Sequence, residues 1–285
     1  MTASPSPSHT SAGANGSHSV VTVAVCGALG RMGIEVVKAV LADPGLKLVG
    51  VVDVKGVGQP LASAIPAARD CELGVGHELD MLLADMQPDV CVDFTHPSTV
   101  LQNTLAMARA GVRPVVGTTG MSAGDLDKVR TALKEAGIGG IVAPNFAIGA
   151  ILMMKFAQEA SRYLDHAEII ELHHNQKADA PSGTAIKTAE MMAAARQQFG
   201  ADNAPEKETY PGARGGAGPS DIQIHSVRLP GYVASQEVIF GGQGQTLKIR
   251  HDTIDRTSFM PGVVMACKRV MTVDGLVYGL ENLLQ

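Results

Sequence analysis

The spacing of apolar residues predicts that the first half of the chain alternates strands with helices. Val20–Cys26 is a β-branched run bounded by glycine, typical of a buried parallel strand, and Ile34–Ala42 repeats apolar residues at helical spacing. A second predicted strand, Leu46–Asp53, ends in an acid. By the same criteria we predict strands at 90–94, 114–117 and 139–143 and helices at 98–110 and 122–136. This alternation indicates β-α-β units around a parallel sheet.

The pattern changes after residue 148. A Met-rich helix at 148–163, a strand at 167–173 and a helix at 182–199 are followed by the Gly/Pro-rich stretch 211–219. Three strand-like runs come next, at 222–228, 233–240 and 245–251, and a helix is predicted at 258–272. Such close strand spacing favours an antiparallel or mixed sheet. The pattern leaves open whether the last helix packs back on the first part, which would make the middle an insertion.

Composition narrows the class of protein. Hydrophobic residues make up 45% of the 285 residues, aromatics only 4%, and Trp is absent, so the core must be aliphatic. The net charge of -5 gives no reason to expect a nucleic-acid partner. No apolar run approaches the roughly 20 residues of a membrane helix. We therefore expect a soluble, cytoplasmic protein that binds neither nucleic acid nor membrane.

The cysteines and the N-terminal residues each lead us to expect that a particular feature is absent. The four cysteines are scattered without C-x-x-C spacing, so we expect no disulfide framework and no metal site. Residues 1–19 are rich in Ser, Pro, Gly and Ala and contain neither Lys nor Arg. They match neither a transit nor a secretory signal, and we predict a disordered tail.

The segment Gly27-Ala-Leu-Gly30-Arg-Met-Gly33 lies between a predicted strand and a predicted helix. Glycines at such a turn let the backbone approach a pyrophosphate, and the helix start offers free N–H groups to it. Asp53 follows 20 residues after Gly33, where an acid accepts hydrogen bonds from the adenosine ribose. The spacing departs from G-x-G-x-x-G, but its context predicts a dinucleotide site.

A second cluster, Glu171–Thr184, contains two histidines, a lysine and Pro-Ser-Gly-Thr. Ser182 is a good N-cap, so Gly183 and Thr184 would form a helix start that binds an anion. Histidine can supply a proton near neutral pH, and lysine can neutralise charge in a transition state. A lone histidine at a strand end is more often structural, but the convergence of these groups favours catalysis.

These segments resemble the 4-hydroxy-tetrahydrodipicolinate reductase (dihydrodipicolinate reductase) family of diaminopimelate and lysine biosynthesis. The Glu171–Thr184 block carries the resemblance, together with four segments in the same order: Val25–Gly33, Asp93–Thr95, Gly117–Gly120 and Ala143–Phe146. The resemblance implies an α/β fold. It comprises a Rossmann-type parallel-sheet dinucleotide-binding domain (20–147 and 257–285) and a central α+β domain for substrate binding and tetramerisation (148–256). It also implies a cytoplasmic homotetramer that reduces a cyclic dicarboxylate with NADPH or NADH.

The resemblance further implies roles for individual residues. His173 would be the proton donor and Lys177 the second catalytic residue. His174, Gly183, Thr184 and Arg256 would contact substrate. The implied cofactor contacts are Gly27, Ala28, Leu29, Gly30, Arg31, Met32, Asp53, Gly117, Thr118, Thr119, Ala143, Pro144, Asn145 and Phe146.

The chain departs from the family at two positions, and two rival functions share some of its features. Val54 and His96 stand where members often carry Arg, which bears on recognition of the cofactor phosphate. A sugar or amino-acid dehydrogenase would share the glycine loop but not the Ser-Gly-Thr anion site. A dinucleotide-sensing regulator would need no His173 and Lys177 pair. Oxidation of NADPH by the protein with its substrate distinguishes these cases.

Overall fold

The computed structural model describes residues 20–200 and 207–284, so the tail predicted at 1–19 lies outside the described residues. Twelve strands in these ranges form two sheets: β1 (Val21–Cys26), β2 (Leu46–Val52), β3 (Val75–Gly76), β4 (Val90–Asp93), β5 (Arg113–Val116), β6 (Gly140–Val142), β7 (His166–His173), β8 (Gly216–Ala217), β9 (Gln223–Arg228), β10 (Ala234–Gly242), β11 (Gln245–Thr253) and β12 (Leu276–Tyr278). The α-helices of the same ranges are α1 (Gly33–Ala42), α2 (Leu61–Ala64), α3 (Leu79–Met86), α4 (Val100–Arg109), α5 (Ala123–Ala136), α6 (Ile148–Ala160), α7 (Gly183–Ala195) and α8 (Met260–Arg269).

The first sheet contains seven strands in the order β12-β6-β5-β4-β1-β2-β3, and all neighbours run parallel. The predicted parallel sheet is therefore confirmed. The chain leaves β1 toward β2 on one side and later returns to β4 on the other side. Ligands of open α/β sheets bind at such a switch point, outside the carboxyl ends of the strands.

The C-terminal residues return to this first sheet. Val277 of β12 pairs with Ile141 of β6, and α8 packs against α1 and β1. Val263, Ala266 and Cys267 of α8 are fully buried in the main core. The sequence pattern indicated only a short apolar tail after α8, because three residues are too few to show an alternation.

The second sheet has five strands in the order β11-β10-β7-β9-β8. Its strands β7 and β9 are parallel, whereas the other neighbours are antiparallel, so the sheet is mixed. Helices α6 and α7 cover one face, where Ile169, Val238 and Met192 are fully buried. Glu171 and His173 of the second predicted cluster share this face of β7 with Ile169.

Helix α7 begins where the sequence predicts, since Ser182 Oγ accepts a hydrogen bond from Ala185 N at 3.2 Å. The helix ends at Ala195 instead of Phe199, because tertiary contacts take over. Arg196 is extended and its Nε donates to Ser161 O, while Phe199 is buried against the second core. Residues 54–89, whose pattern predicted no element, contain the short α2 and β3 and the helix α3.

Candidate active site

A cavity of about 360 Å³ opens at the carboxyl ends of β1, β2 and β4. Three of the predicted cofactor residues line it: Gly27, Gly30 and Asp53. Val54 and His96, the two positions at which the resemblance implied a departure from the family, line the same cavity, as does Lys55. Sequence reasoning assigned no role to other lining residues, including His77, Thr99, Asn103, and Phe94 and Thr95 of the Asp93–Thr95 segment. The cavity therefore lies at the switch point, where a dinucleotide is expected.

The glycine loop is compact because two of its glycines leave no space for a side chain. Gly27 has φ +73°, and a Cβ there would lie 2.6 Å from Phe94 O. A Cβ on Gly33 would lie 2.0 Å from Gly27 O, so this glycine lets α1 begin directly against the loop. A tight turn at Gly27 and close helix packing at Gly33 are therefore what these two glycines make possible.

Asp53 anchors the glycine loop. Its Oδ2 accepts a hydrogen bond from Leu29 N at 2.8 Å, and its Oδ1 accepts one from Lys55 N at 2.9 Å. The carboxylate thus holds the end of β2 to the loop. Ala28 is fully buried, whereas Arg31 is exposed. Met32, half-buried, precedes the first residue of α1.

The remaining predicted cofactor residues follow β5 and β6. Thr118 and Thr119 line a small cavity of about 40 Å³ together with Pro144. Thr118 Oγ1 donates at 2.6 Å to Oδ1 of the fully buried Asp93, which ties the Gly117 turn to the end of β4.

Two other predicted contacts lie beneath the surface. Ala143 and Phe146 are 1% and 2% exposed. In this structure they therefore pack beneath the cavity walls and do not line a cavity. Asn145, which lies between them in the sequence, reaches further out and belongs to a second pocket.

The second pocket, of about 160 Å³, lies where the two sheets meet. It brings together Pro144 and Asn145 from the first part with His173, Ser182 and Thr184 from the second. Asn145 Nδ2 donates to Thr184 Oγ1 at 3.3 Å. The segment expected to hold the cofactor therefore touches the helix start expected to bind substrate.

His173 contacts a buried carboxylate, that of Glu171, through the ring nitrogen that faces away from the pocket. Its Nδ1 lies 2.5 Å from Glu171 Oε2, and the Glu171 side chain has no exposed surface. Because a carboxylate only accepts, Nδ1 carries the hydrogen and Nε2 remains for the pocket. Burial would raise the pKa of Glu171, but hydrogen bonds from His173, Arg228 and Ser226 and the charge of His173 outweigh it and lower the pKa to about 2.

Four predicted catalytic or substrate residues do not line the pocket. Lys177 Nζ binds both carboxylate oxygens of Asp179 at 2.8 Å. His174 is exposed, and its Nδ1 accepts a hydrogen bond from Gln176 N. Gly183, in the first turn of α7, and Arg256, in a short turn before α8, are also exposed.

Sequence reasoning missed three polar side chains around His173, because they come from distant strands. Arg228 of β9 pairs with Glu171, while Gln236 of β10 and His251 of β11 line the pocket. Gln236 Nε2 donates to Thr188 Oγ1, but its buried Oε1 has no partner among the described residues. A signal for Arg228 existed: Glu171 shares the inward face of β7 with Ile169, and a buried acid needs a cation.

Metal-binding clusters and membrane-spanning helices are both absent from the described ranges, 20–200 and 207–284. No group of three or more His, Cys, Asp or Glu side chains there could hold a metal ion. None of the helices in these ranges combines the length and the apolar character needed to cross a membrane.

A glycine loop at the switch point of a parallel sheet, next to a second sheet that presents a histidine, defines an enzyme of the dinucleotide-dependent oxidoreductase class. The family model "Dihydrodipicolinate reductase, N-terminus" matches residues 21–146, and "Dihydrodipicolinate reductase, C-terminus" matches residues 149–284. The chain belongs to the dihydrodipicolinate reductase family, as its resemblance predicted.

Individual relatives agree with the family models. The chain is 51% identical to the 4-hydroxy-tetrahydrodipicolinate reductase of Syntrophomonas wolfei over 92% of this chain and 98% of the relative. It is 50% identical to the Synechocystis enzyme of the same name, over 93% and 98%. A solved structure described as dipicolinate-bound dihydrodipicolinate reductase from Paenisporosarcina sp. TG-14 superposes with a TM-score of 0.81 at 46% identity, covering 92% and 99%.

A more distant neighbour, an amine dehydrogenase from Mycobacterium smegmatis, has a TM-score of 0.67 at 15% identity over 93% of this chain and 96% of its own. At that identity it shares the fold alone. The family models and the relatives of about 50% identity, not this shared fold, distinguish the chain from the sugar or amino-acid dehydrogenase alternative.

Proposed function

We propose that the chain reduces 4-hydroxy-tetrahydrodipicolinate to tetrahydrodipicolinate in diaminopimelate and lysine biosynthesis, using NADPH or NADH, with His173 as the proton donor. The contact between Asn145 and Thr184 carries the assignment of the site. It joins the two predicted binding segments at 3.3 Å, in the pocket that His173 also lines. Family membership supports the reaction, and the geometry supports His173 and Thr184 as residues of the site.

The residues present fit a dinucleotide. The cavity of about 360 Å³ falls in the range of small-ligand sites, and a side chain on Gly27 would clash with the backbone of its wall. Gly27, Gly30 and Lys55 would hold the adenosine and phosphate end, and Asn145 would lie toward the nicotinamide end. When bound, the dinucleotide supplies hydride.

His173 would donate a proton from Nε2 to the reduced ring. The ionised Glu171 holds Nδ1 and balances the positive charge of the imidazolium that must precede donation. The half-buried Arg228 in turn balances Glu171. His251 stays neutral more readily than usual, because burial lowers its pKa, and it can face the pocket without competing charge.

The dicarboxylate would be held at two places. The start of α7, with the Gly183 and Thr184 N–H groups, suits one carboxylate. Lys177 would reach the other carboxylate only by exchanging Asp179 for it. The solved relative from Paenisporosarcina is described as dipicolinate-bound. Dipicolinate is a planar dicarboxylate of this kind, which supports a two-anchor site.

We also propose the domain division that the resemblance implies: 20–147 with 257–285, and 148–256. The pairing of β12 with β6 supports it.

A cytoplasmic homotetramer is proposed on the same basis. Helices cover one face of the second sheet, whereas Ile170 and Ile239 on the other face are only half-buried, which suits a face that meets another subunit. Light scattering in solution would measure the number of subunits.

The test is oxidation of NADPH, followed at 340 nm, with freshly generated 4-hydroxy-tetrahydrodipicolinate. Turnover should be competitively inhibited by pyridine-2,6-dicarboxylate and far less by pyridine-2-carboxylate. Thr184→Val should weaken inhibitor binding less than His174→Ala, because valine keeps the backbone N–H. Absence of turnover would refute the reaction, and equal inhibition by both compounds would refute the two-anchor site.

A further inference from the structure

Glu171 is hydrogen-bonded to two residues that line the second pocket, His173 and Ser182, although its own buried side chain cannot touch substrate. Its side chain is completely buried and accepts hydrogen bonds from Arg228 Nη1 at 2.8 Å and Nη2 at 2.6 Å. It also contacts His173 Nδ1 at 2.5 Å and accepts from Ser182 N at 3.3 Å. These partners lie on β7, on β9 and at the start of α7.

We propose that Glu171 and Arg228 are positioning residues of the reaction. They fix the orientation and charge of His173 and hold both ends of the loop 174–181 that carries Lys177. This inference rests on the proposed role of His173 as proton donor, and it adds two residues for which the sequence pattern alone predicted no role.

The contact between Glu171 and His173 determines which imidazole nitrogen carries the proton. A histidine that donates from Nε2 must keep its other hydrogen on Nδ1, and an ionised carboxylate, which only accepts hydrogen bonds, holds that hydrogen there. Glutamine at position 171 could either donate to Nδ1 or accept from it, so it would permit both tautomers. The imidazole contacts the ionised Glu171, Arg228 pairs with that carboxylate, and His251 lines the same pocket from β11.

The second link acts on the loop. Ser182, which donates to Glu171 Oε1, is the last residue before α7. Arg228 Nη2 also donates to Asp179 O at 2.8 Å, and the Asp179 carboxylate binds Lys177 Nζ. A single ion pair therefore determines where His173, Lys177 and the anion-binding helix start lie relative to one another.

The experiment compares Glu171→Gln with the parent and with Asp89→Asn by measuring kcat and KM against pH. Asp89 is a matched control: its carboxylate accepts hydrogen bonds from Thr22 N at 2.8 Å and from Thr22 Oγ1, at the opposite, amino ends of the strands of the first sheet. Both changes neutralise a hydrogen-bonded acid, but only Glu171 adjoins the pocket.

In Glu171→Gln the alkaline limb of the kcat profile should move down by about one pH unit or more. An imidazolium that has lost an adjacent carboxylate gives up its proton more readily. The kcat at pH 8 should then fall by roughly tenfold or more, with a much smaller change in KM. Asp89→Asn should lower the melting temperature and leave the shape of the profile unchanged.

Removing one partner of a buried ion pair can unfold a protein, so a second variant is needed. Glu171→Gln/Arg228→Met removes both charges and should fold better than the single variant while keeping the shifted profile. A parent-like profile in either folded variant overturns the proposal. The variant His173→Ala distinguishes failure of this proposal from failure of the proposed function. If that variant stays active, the assignment of His173 as proton donor is wrong.

Discussion

The two cavities differ in how they are built. In the larger one the glycine loop presents backbone at Gly27 and Gly30, and Asp53 holds that loop through main-chain N–H groups. The smaller one is shaped by polar side chains from β7, β10, β11 and the start of α7. A backbone-built site binds a large common ligand, whereas a side-chain-built site places a few charges for one reaction.

This difference predicts separable effects of mutation. Removing a side chain from the smaller pocket should alter chemistry and leave cofactor binding intact. Adding a side chain to the glycine loop should do the reverse. The following changes test that separation.

The largest effect on kcat is expected from changes at the proposed proton donor, His173, and at the second proposed catalytic residue, Lys177. His173→Ala or Lys177→Ala should lower kcat by about 100-fold or more, the usual contribution of a positioned acid or charge stabiliser. The dissociation constant for NADPH, measured by fluorescence titration, should hardly change because neither residue lines the larger cavity. Near-normal turnover of both variants would contradict the assignments.

Gly27→Ala should raise the dissociation constant for NADPH by about tenfold or more, the equivalent of one good contact, because a Cβ 2.6 Å from Phe94 O would force the glycine loop to shift. Gly111→Ala is the matched control. Gly111 has the same φ of +73°, but a Cβ there would meet nothing within 4 Å. Both variants lose roughly 1–2 kcal/mol from a left-handed alanine.

Thermal melting and NADPH titration of these two variants separate strain from binding. Both should melt earlier than the parent, but only Gly27→Ala should bind NADPH poorly. Equal NADPH affinity in the two variants would mean that the loop does not cradle the cofactor.

A smaller effect is expected on cofactor choice. Asp53 repels a 2′-phosphate and Val54 offers no donor, so Arg31 and Lys55 should together supply a moderate preference for NADPH over NADH. Arg31→Ala/Lys55→Ala should raise KM for NADPH by about tenfold, the equivalent of one charge-assisted contact. KM for NADH should change little.

The structure sharpens this expectation. Lys55 lines the cavity, whereas Arg31 is exposed outside its wall, so Lys55→Ala alone should have the greater effect. Lys47→Ala, an exposed lysine at the start of β2, provides the control. If the ratio of the two Michaelis constants does not change, neither cation selects the cofactor.

The same contrast explains what the sequence could predict. The glycine loop and Asp53 are close in sequence and flanked by clear strand and helix patterns, so the dinucleotide site could be located. His173 and Ser182 also belong to one segment. Arg228, however, is 57 positions from Glu171, and Gln236 and His251 meet only because β10 and β11 pair. Long-range register brings these residues together, and no local spacing encodes it.

The boundaries that were wrong have the same origin. Phe199 extends the apolar pattern of α7, yet its burial against the second core replaces the last helical turn. The three residues of β12 form a strand only because β6 offers an edge to pair with. Local propensity predicts an element, and tertiary contacts decide its ends.

The return of β12 to the first sheet also has a consequence for biosynthesis. On the ribosome, β1 to β6 of the first sheet emerge before the second sheet, but its edge strand β12 and the helix α8 are made only after β11. The second sheet can complete all its pairings while the first still lacks an edge and part of its core. Nascent chains arrested after β11 should therefore resist proteolysis in the middle of the chain before they do so at its beginning.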